Sequence, residues 1–209
     1  MLLKRLLDVF LAVLTMILFM PVMIGVALAV RINMGGPVLF TQLRPGLHGR
    51  PFRMIKFRTM RNLVDSHGLP LADEQRMTRL GAWLRASSLD ELPEVWNVLR
   101  GDMSIVGPRP LLMAYLPLYT ARQARRHEVR PGITGWAQIN GRNAISWPQR
   151  FDLDVWYVDN RSLLLDFKIF LKTFQRVWQR DGVSAQGQAT MSAFEGNGDR
   201  APVSMRVER

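Results

Sequence analysis

Cysteine is absent from this chain of 209 residues, so no disulfide framework and no thiolate metal site can be built from it. Histidine is nearly absent too. His48, His67 and His127 are far apart and lack ligand spacing, which turns any metal hypothesis towards oxygen donors and a hard cation. Acidic residues are outnumbered, 17 against 28 lysines and arginines, leaving a formal charge of +11. Such a surplus suits a polyanionic partner: nucleic acid, an anionic membrane face or a phosphorylated substrate. No internal repeat is visible.

One stretch has no charge at all. From Val9 to Val30 the chain is apolar, long enough to enter or cross a bilayer. Lys4 and Arg5 precede it, and Arg31, Arg44, Arg50 and Arg53 follow. Three readings compete. A cleaved signal peptide has Ala27-Leu28-Ala29 in its favour, but the run is too long and Asp8 interrupts the basic flank. A straight spanning helix would send Lys4 and Arg5 outward, against the preference of positive charge for the cytoplasm. A helix that enters, bends at Met20-Pro21 and returns keeps both basic flanks on one side, and a mid-segment proline kinks a helix.

Gly35-Gly36-Pro37 closes the anchor. Val38–Gln42 and Phe52–Met60 then read as two strands of a small β-hairpin, with Lys56 and Arg58 projecting from one face. That pair is either a solvated basic edge or a clamp for a diphosphate or lipid headgroup. Asn62–Gln75 reads as a loop. Thr78–Ala86 has helical spacing with Leu80, Trp83 and Leu84 apolar, and Arg85 stands just before a pair of carboxylates, placed to meet Asp90 or a substrate phosphate.

That pair, Asp90-Glu91, opens a short helix in which Leu92, Val95, Trp96 and Leu99 share a face. Side chains of adjacent helical residues diverge by about 100°, so one acid can face a reacting phosphorus while its neighbour holds a metal. The plain alternative is a capping box, Ser88-x-x-Glu91. Arg109, between Pro108 and Pro110, is a rigidly presented guanidinium suited to phosphate.

Leu111–Arg126 reads as a helix interrupted at Pro117, with Tyr115 and Tyr119 as packing or interface residues. Arg130–Arg142 is rich in glycine, whose exposed amides can cradle phosphate. Asp154 and Asp159 are candidates for a metal or ribose contact, against the alternative of solvated helix acids. Ser162–Arg180 is amphipathic, with Leu163, Phe167, Phe170, Leu171, Phe174 and Trp178 on the apolar side, suited equally to a membrane interface or to a protein core. Residues 181–209 read as a disordered tail without catalytic importance. The fold expected is α+β and mainly helical: an N-terminal re-entrant membrane helix (1–34), a cytosolic catalytic domain with a small β-hairpin and interfacial amphipathic helices (35–180), and the tail.

Seven segments in order carry a resemblance. They are Lys4-Arg5-Leu6-Leu7-Asp8, Gly36-Pro37-Val38-Leu39-Phe40, Lys56-Phe57-Arg58-Thr59-Met60, Ser88-Leu89-Asp90-Glu91-Leu92-Pro93, Ser104-Ile105-Val106-Gly107-Pro108-Arg109-Pro110, Arg130-Pro131-Gly132-Ile133-Thr134-Gly135-Trp136 and Asp154-Val155-Trp156-Tyr157. Together they resemble the bacterial sugar transferase family, the small monotopic polyprenyl-phosphate phosphoglycosyl transferases.

The resemblance implies an enzyme of the bacterial inner membrane with its catalytic domain on the cytoplasmic face. It would move a phospho-sugar from a UDP-sugar to undecaprenyl phosphate in the first membrane step of surface glycan or glycoconjugate assembly. By position, Asp90 would be the nucleophile, Glu91 the Mg²⁺ ligand and Arg109 a phosphate holder, with Lys56 and Arg85 in support. Pro21 would break a re-entrant anchor, although Met20 stands where the family pattern has a small polar residue. The partners implied are both substrates and membrane lipid. No DNA-reading motif favours nucleic acid. The sugar is not named by any motif, and a homodimer is one of the open options.

Overall fold

A computed structural model describes residues 2–141, 145–179 and 193–197, leaving aside the side chains of Phe174 and Arg176–Gln179. The fold is mainly helical, with a small two-stranded antiparallel sheet and a long apolar N-terminal helix. That helix, α1 (Leu2–Met34), is continuous through Pro21. It is long and apolar enough to cross a membrane, and most of its apolar side chains, including Phe10, Leu14, Ile17, Leu18, Ile24 and Leu28, are exposed.

Both ends of α1 are fastened to the rest of the protein. Near the N-terminus, Asp8 accepts from the Ser104 hydroxyl at 2.8 Å and the Ile105 amide at 3.1 Å. Lys4 Nζ pairs with Asp166 at 2.6 Å. Arg5 donates to the carbonyls of Val98 (2.7 Å) and Leu99 (3.0 Å). Both carbonyls lie in the last turn of a helix, where a cation meets the negative end of the dipole, and that of Val98 also accepts from the Gly101 amide at 3.0 Å. At the other end, Val26 and Val30 pack with Phe57 and Leu84.

The hairpin consists of β1 (Leu39–Pro45) and β2 (Pro51–Phe57), registered Leu39 to Phe57 and Pro45 to Pro51. A short α2 (Asp73–Arg76) lies in the segment expected to be a loop, and α3 (Arg79–Ala86) is capped by the Thr78 hydroxyl. Trp83, expected on the buried face of α3, is exposed, whereas Leu84 is buried.

The acidic segment is a single 3₁₀ turn, Leu89–Glu91, followed by α4 (Glu94–Arg100). Here the expected apolar face is corrected. Glu94, Val95, Asn97 and Val98 are buried, while Trp96 is exposed. The cause is Asn97, whose amide nitrogen donates to the Arg53 carbonyl at 2.8 Å and whose oxygen accepts from the Ile55 amide at 3.1 Å. Those two bonds turn the polar side of α4 inward against β2. Gly101 then ends the helix in the left-handed conformation that a side chain rarely adopts, at φ +88°.

Two three-residue strands, β3 (Ser104–Val106) and β4 (Gly132–Thr134), pair in parallel at the centre and were not foreseen. The glycines of this region serve close packing. A Cβ on Gly132 would lie 2.1 Å from the Gly107 nitrogen, so the phosphate-cradle reading of Gly132 gives way to a steric one. The helix expected over Leu111–Arg126 is a series of turns instead: a 3₁₀ segment (Met113–Leu118), α5 (Ala121–Ala124) and a second 3₁₀ turn (Arg125–Glu128). Pro117 lies inside the first of them, and the capping Thr120 opens the second. The chain closes with α6 (Trp136–Asn140), α7 (Trp147–Asn160) and α8 (Leu163–Gln179).

Helix α8 packs on the core along one side, the second of the two readings of its pattern. Ile169 is fully buried in the main core with Leu165 and Phe170 beside it, while Leu164, Phe167 and Leu171 point outward. Phe174 and Trp178 have side chains outside the described set. Most of the expected tail also lies outside the described residues, but residues 193–197 overturn part of that expectation, because Phe194 is buried in an aromatic cluster with Tyr115 and Phe151.

Candidate active site

A cavity of about 770 Å³ opens between the hairpin, the acidic turn and the segment after β3. Its size is that of a site for a molecule as large as a nucleotide sugar. Lys56, Arg58, Arg85, Asp90, Glu91 and Arg109, all singled out from the sequence, line it. Glu94, Arg44 and Arg150 line it as well and were missed.

The carboxylates differ sharply in environment. Glu91 Oε1 accepts from Lys56 Nζ at 2.6 Å and from Arg109 Nη2. Burial alone would raise its pKa, but these two cations override that and hold it well below the usual carboxylate range. This excludes the capping-box reading: Ser88 is left-handed, at φ 57°, and its side chain caps nothing. A non-glycine residue in that region is a strained one, and it sits two residues before Asp90.

Asp90 is the opposite case. It is buried, and no hydrogen bond or ion pair to its carboxylate occurs among the described residues. Burial, reinforced by the Glu91 charge, pushes its pKa up to about 6, with Lys56, Arg109 and Arg85 opposing the shift. It is therefore an oxygen acid with a raised basicity, unencumbered, facing a cavity ringed by cations.

Glu94 is almost wholly buried, and its Oε1 lies 3.0 Å from Lys56 Nζ without a hydrogen bond of good geometry. Burial pushes it up to about 7. In its ionised form this oxygen is acceptor-only and fits a hard cation, as does the second oxygen of Glu91, which makes no bond among the described residues. No cluster of three acidic or histidine ligands spaced to enclose a metal by itself occurs among the described residues. Mg²⁺ habitually keeps only one or two carboxylates and takes its other ligands from phosphate and water, so the acids present fit it.

Two expected site residues work elsewhere. Arg58 donates from Nη1 to the Gly36 carbonyl (3.0 Å) and from Nη2 to the Gly35 carbonyl (2.7 Å), so its terminal nitrogens hold the end of α1 rather than a headgroup. Asp154 does not line the cavity. It is buried against Arg126 at 2.8 Å, which replaces the metal or ribose contact expected of it. Asp159 is at the surface, paired with Arg125 at 2.6 Å. Arg85 lines the cavity as expected, donates to Thr59 at 3.1 Å and makes no ion pair with Asp90. Tyr115 and Tyr119 are packing residues, as read from the sequence.

Glu94 was concealed because it falls at an ordinary first-turn position for a helix acid. Arg44 reads in the sequence only as part of a basic flank. The one available signal was that Arg44, Lys56 and Arg58 all come from a single hairpin.

The bacterial sugar transferase family model matches residues 1–180. The chain belongs to the bacterial sugar transferase family. It is 54% identical over 199 residues to the uncharacterized sugar transferase EpsL of Bacillus subtilis (strain 168), an alignment covering 95% of this chain and 98% of that one. It is 44% identical over 180 residues to the UDP-glucose:undecaprenyl-phosphate glucose-1-phosphate transferase of Caulobacter vibrioides, covering 81% of this chain and 67% of that one. The Escherichia coli (strain K12) protein of the same description is 43% identical over 187 residues, covering 83% of this chain and 40% of that one.

Proposed function

We propose that this sugar transferase moves a sugar phosphate from a UDP-sugar to undecaprenyl phosphate at the cytoplasmic face of the inner membrane, with Asp90 as a covalent nucleophile. The observation that carries this is the contrast between Asp90, buried and unpaired, and Glu91, held ionised by Lys56 and Arg109.

In the first step an Asp90 carboxylate oxygen attacks the sugar-side phosphorus. The bond from that phosphorus to the bridging oxygen breaks, its electron pair stays on that oxygen, and UMP departs. In the second step an oxygen of the lipid phosphate attacks the same phosphorus, and the Asp90 oxygen leaves as a carboxylate. Both steps bring anions together, and Arg109, Arg85 and Lys56 offset that repulsion from fixed positions, with no reorganisation at the moment of reaction. Mg²⁺, held by Glu91 and Glu94 together with the diphosphate, would supply further charge neutralisation.

The lipid acceptor stays in the bilayer, so the site must sit at its surface. We infer that α1 enters the membrane and returns near Pro21. Supporting this, Lys4, Arg5 and Asp8 at one end and Val26 and Val30 at the other all contact the same body. The exposed Leu164, Phe167 and Leu171 of α8 suit the interface.

The test is a panel of UDP-sugars incubated with undecaprenyl phosphate in nanodiscs and scored for UMP. Release with one or a few sugars, and a phospho-sugar mass adduct on Asp90 in protein quenched without acceptor, is the expected result. No UMP with any donor, or an adduct on another residue, overturns it. Labelling of a cysteine introduced at Leu3 from outside intact cells would overturn the re-entrant topology alone.

A further inference from the structure

The C-terminal segment Ala193–Asn197 is docked beside the cavity. Phe194 is the anchor. Its ring lies 5.0 Å from Phe151, 5.5 Å from Trp147 and 5.7 Å from Tyr115, centroid to centroid. Its amide donates to the Tyr115 hydroxyl at 3.1 Å. Asn197 adds a second tie, donating to the Leu118 carbonyl at 3.1 Å and accepting from Gln123 at 2.7 Å. Edge-on aromatic packing of a buried ring is a strong local hold for so short a segment. The residue next to this anchor, Ala193, is itself part of the cavity wall.

The wall it joins differs in kind from the acidic turn. Around Asp90 the cavity is lined by acids and by Lys56, Arg85 and Arg109. Alongside Ala193 stand Leu111, Leu112, Tyr115 and Trp147, with Arg150 over the Trp147 ring at 5.4 Å. Arg109 to Leu112 is a continuous run from one wall to the other, a span of at most about 11 Å of chain. A phosphate at Arg109 would therefore leave one uncharged end of the donor within reach of the aromatic wall, and the flat uracil ring is the end that suits aromatic side chains. The lipid acceptor has a different approach: α1 contributes to both other apolar clusters and has no residue in the one that holds Phe194.

We infer that Ala193–Asn197 forms part of the donor pocket of this enzyme, with Phe194 as the positioning residue that holds it against the uridine end of the UDP-sugar. This rests on the donor and reaction proposed above.

The test compares Phe194→Ala, Phe194→Leu and Ala193→Trp with the wild type in the full chain. The readouts are UMP release against donor and against acceptor concentration, UDP binding by calorimetry, and the melting temperature. Phe194→Ala is expected to raise KM for the UDP-sugar about tenfold, with kcat and the acceptor KM within about threefold of wild type. Phe194→Leu, which keeps an apolar anchor, should recover most of that loss. Ala193→Trp intrudes on the cavity from an exposed position, so it should raise the donor KM without lowering the melting temperature, even if Phe194→Ala fails to fold. An unchanged donor KM in both Ala193→Trp and folded Phe194→Ala overturns the inference, as does a fall in kcat alone that follows the melting temperature. A wild type that neither releases UMP nor binds UDP overturns the parent reading, and this one with it.

Discussion

Arg126 donates from Nη2 to the main-chain carbonyl of Arg109 at 2.7 Å. Its guanidinium is itself held by Asp154, at 3.1 Å from Nε and 2.8 Å from Nη2. Asp154 therefore acts on the site at one remove, by fixing the backbone that presents Arg109. Asp154→Asn would leave the buried Arg126 without its counter-charge, and the expected cost is about 3–5 kcal/mol, read as a lowered melting temperature. Replacing both partners by apolar residues of similar volume should restore much of that stability. Donor KM should stay raised in the double variant, because the tie to the Arg109 carbonyl is gone. A double variant with wild-type KM would show that Arg109 needs no such support.

Asp90→Asn separates catalysis from folding. The pKa of Asp90 is pushed up to about 6, chiefly by burial. A carboxyl whose folded value is raised opposes folding once pH exceeds its unfolded value near 4, since the charged form is the one penalised. Removing that charge should leave the melting temperature unchanged or higher at pH 7.5. Turnover should fall by about 10⁴-fold or more, since amide oxygen is a poor nucleophile. Lost turnover with a collapsed melting temperature would assign Asp90 a structural role instead.

The same shift sets a pH dependence. In the reaction proposed above attack needs the Asp90 carboxylate, so kcat/KM for the donor should fall about tenfold per unit as pH drops below about 6. Arg85 is among the cations that oppose the shift. Arg85→Met should therefore move the acidic limb to higher pH, while Glu91, held far below the usual range by Arg109 and Lys56, stays ionised throughout. A limb that moves downward, or stays fixed, would remove Arg85 from the electrostatics of the nucleophile.

Much of this site was legible in the sequence because its principal residues are charged and sit in short, distinctive runs. Asp90-Glu91 and Pro108-Arg109-Pro110 declare themselves. What escaped was polar residues used as core. Apolar periodicity placed Trp96 inside α4, but the buried positions beside it are Glu94 and Asn97, and no hydrophobic pattern can reveal an asparagine that satisfies two main-chain groups of a neighbouring strand. Strands β3 and β4 are too short for a period of two to be visible. Phe194 was hidden by a surrounding composition of small and polar residues, although a lone aromatic in such a stretch is itself a signal. Arg58 shows the converse error, in which a basic residue lining the cavity is spent on a helix end.

Asn97 offers the last test, because it decides where Lys56 stands relative to the acids. It is fully buried and bridges the main chain at Arg53 and Ile55, three and one residues before Lys56. Asn97→Leu keeps the volume but strands one carbonyl and one amide away from water, at about 1–3 kcal/mol for each group left unpaired. A melting temperature lower by several degrees is expected. The loss of register should also loosen the contact of Lys56 with Glu91, now 2.6 Å, and with Glu94, now 3.0 Å. Less well compensated, Asp90 would lose part of its opposing cationic field, so the acidic limb of the pH profile should rise in this variant too. If Asn97→Leu lowers stability and leaves that limb in place, α4 serves the fold alone and the position of Lys56 is set by β2 itself.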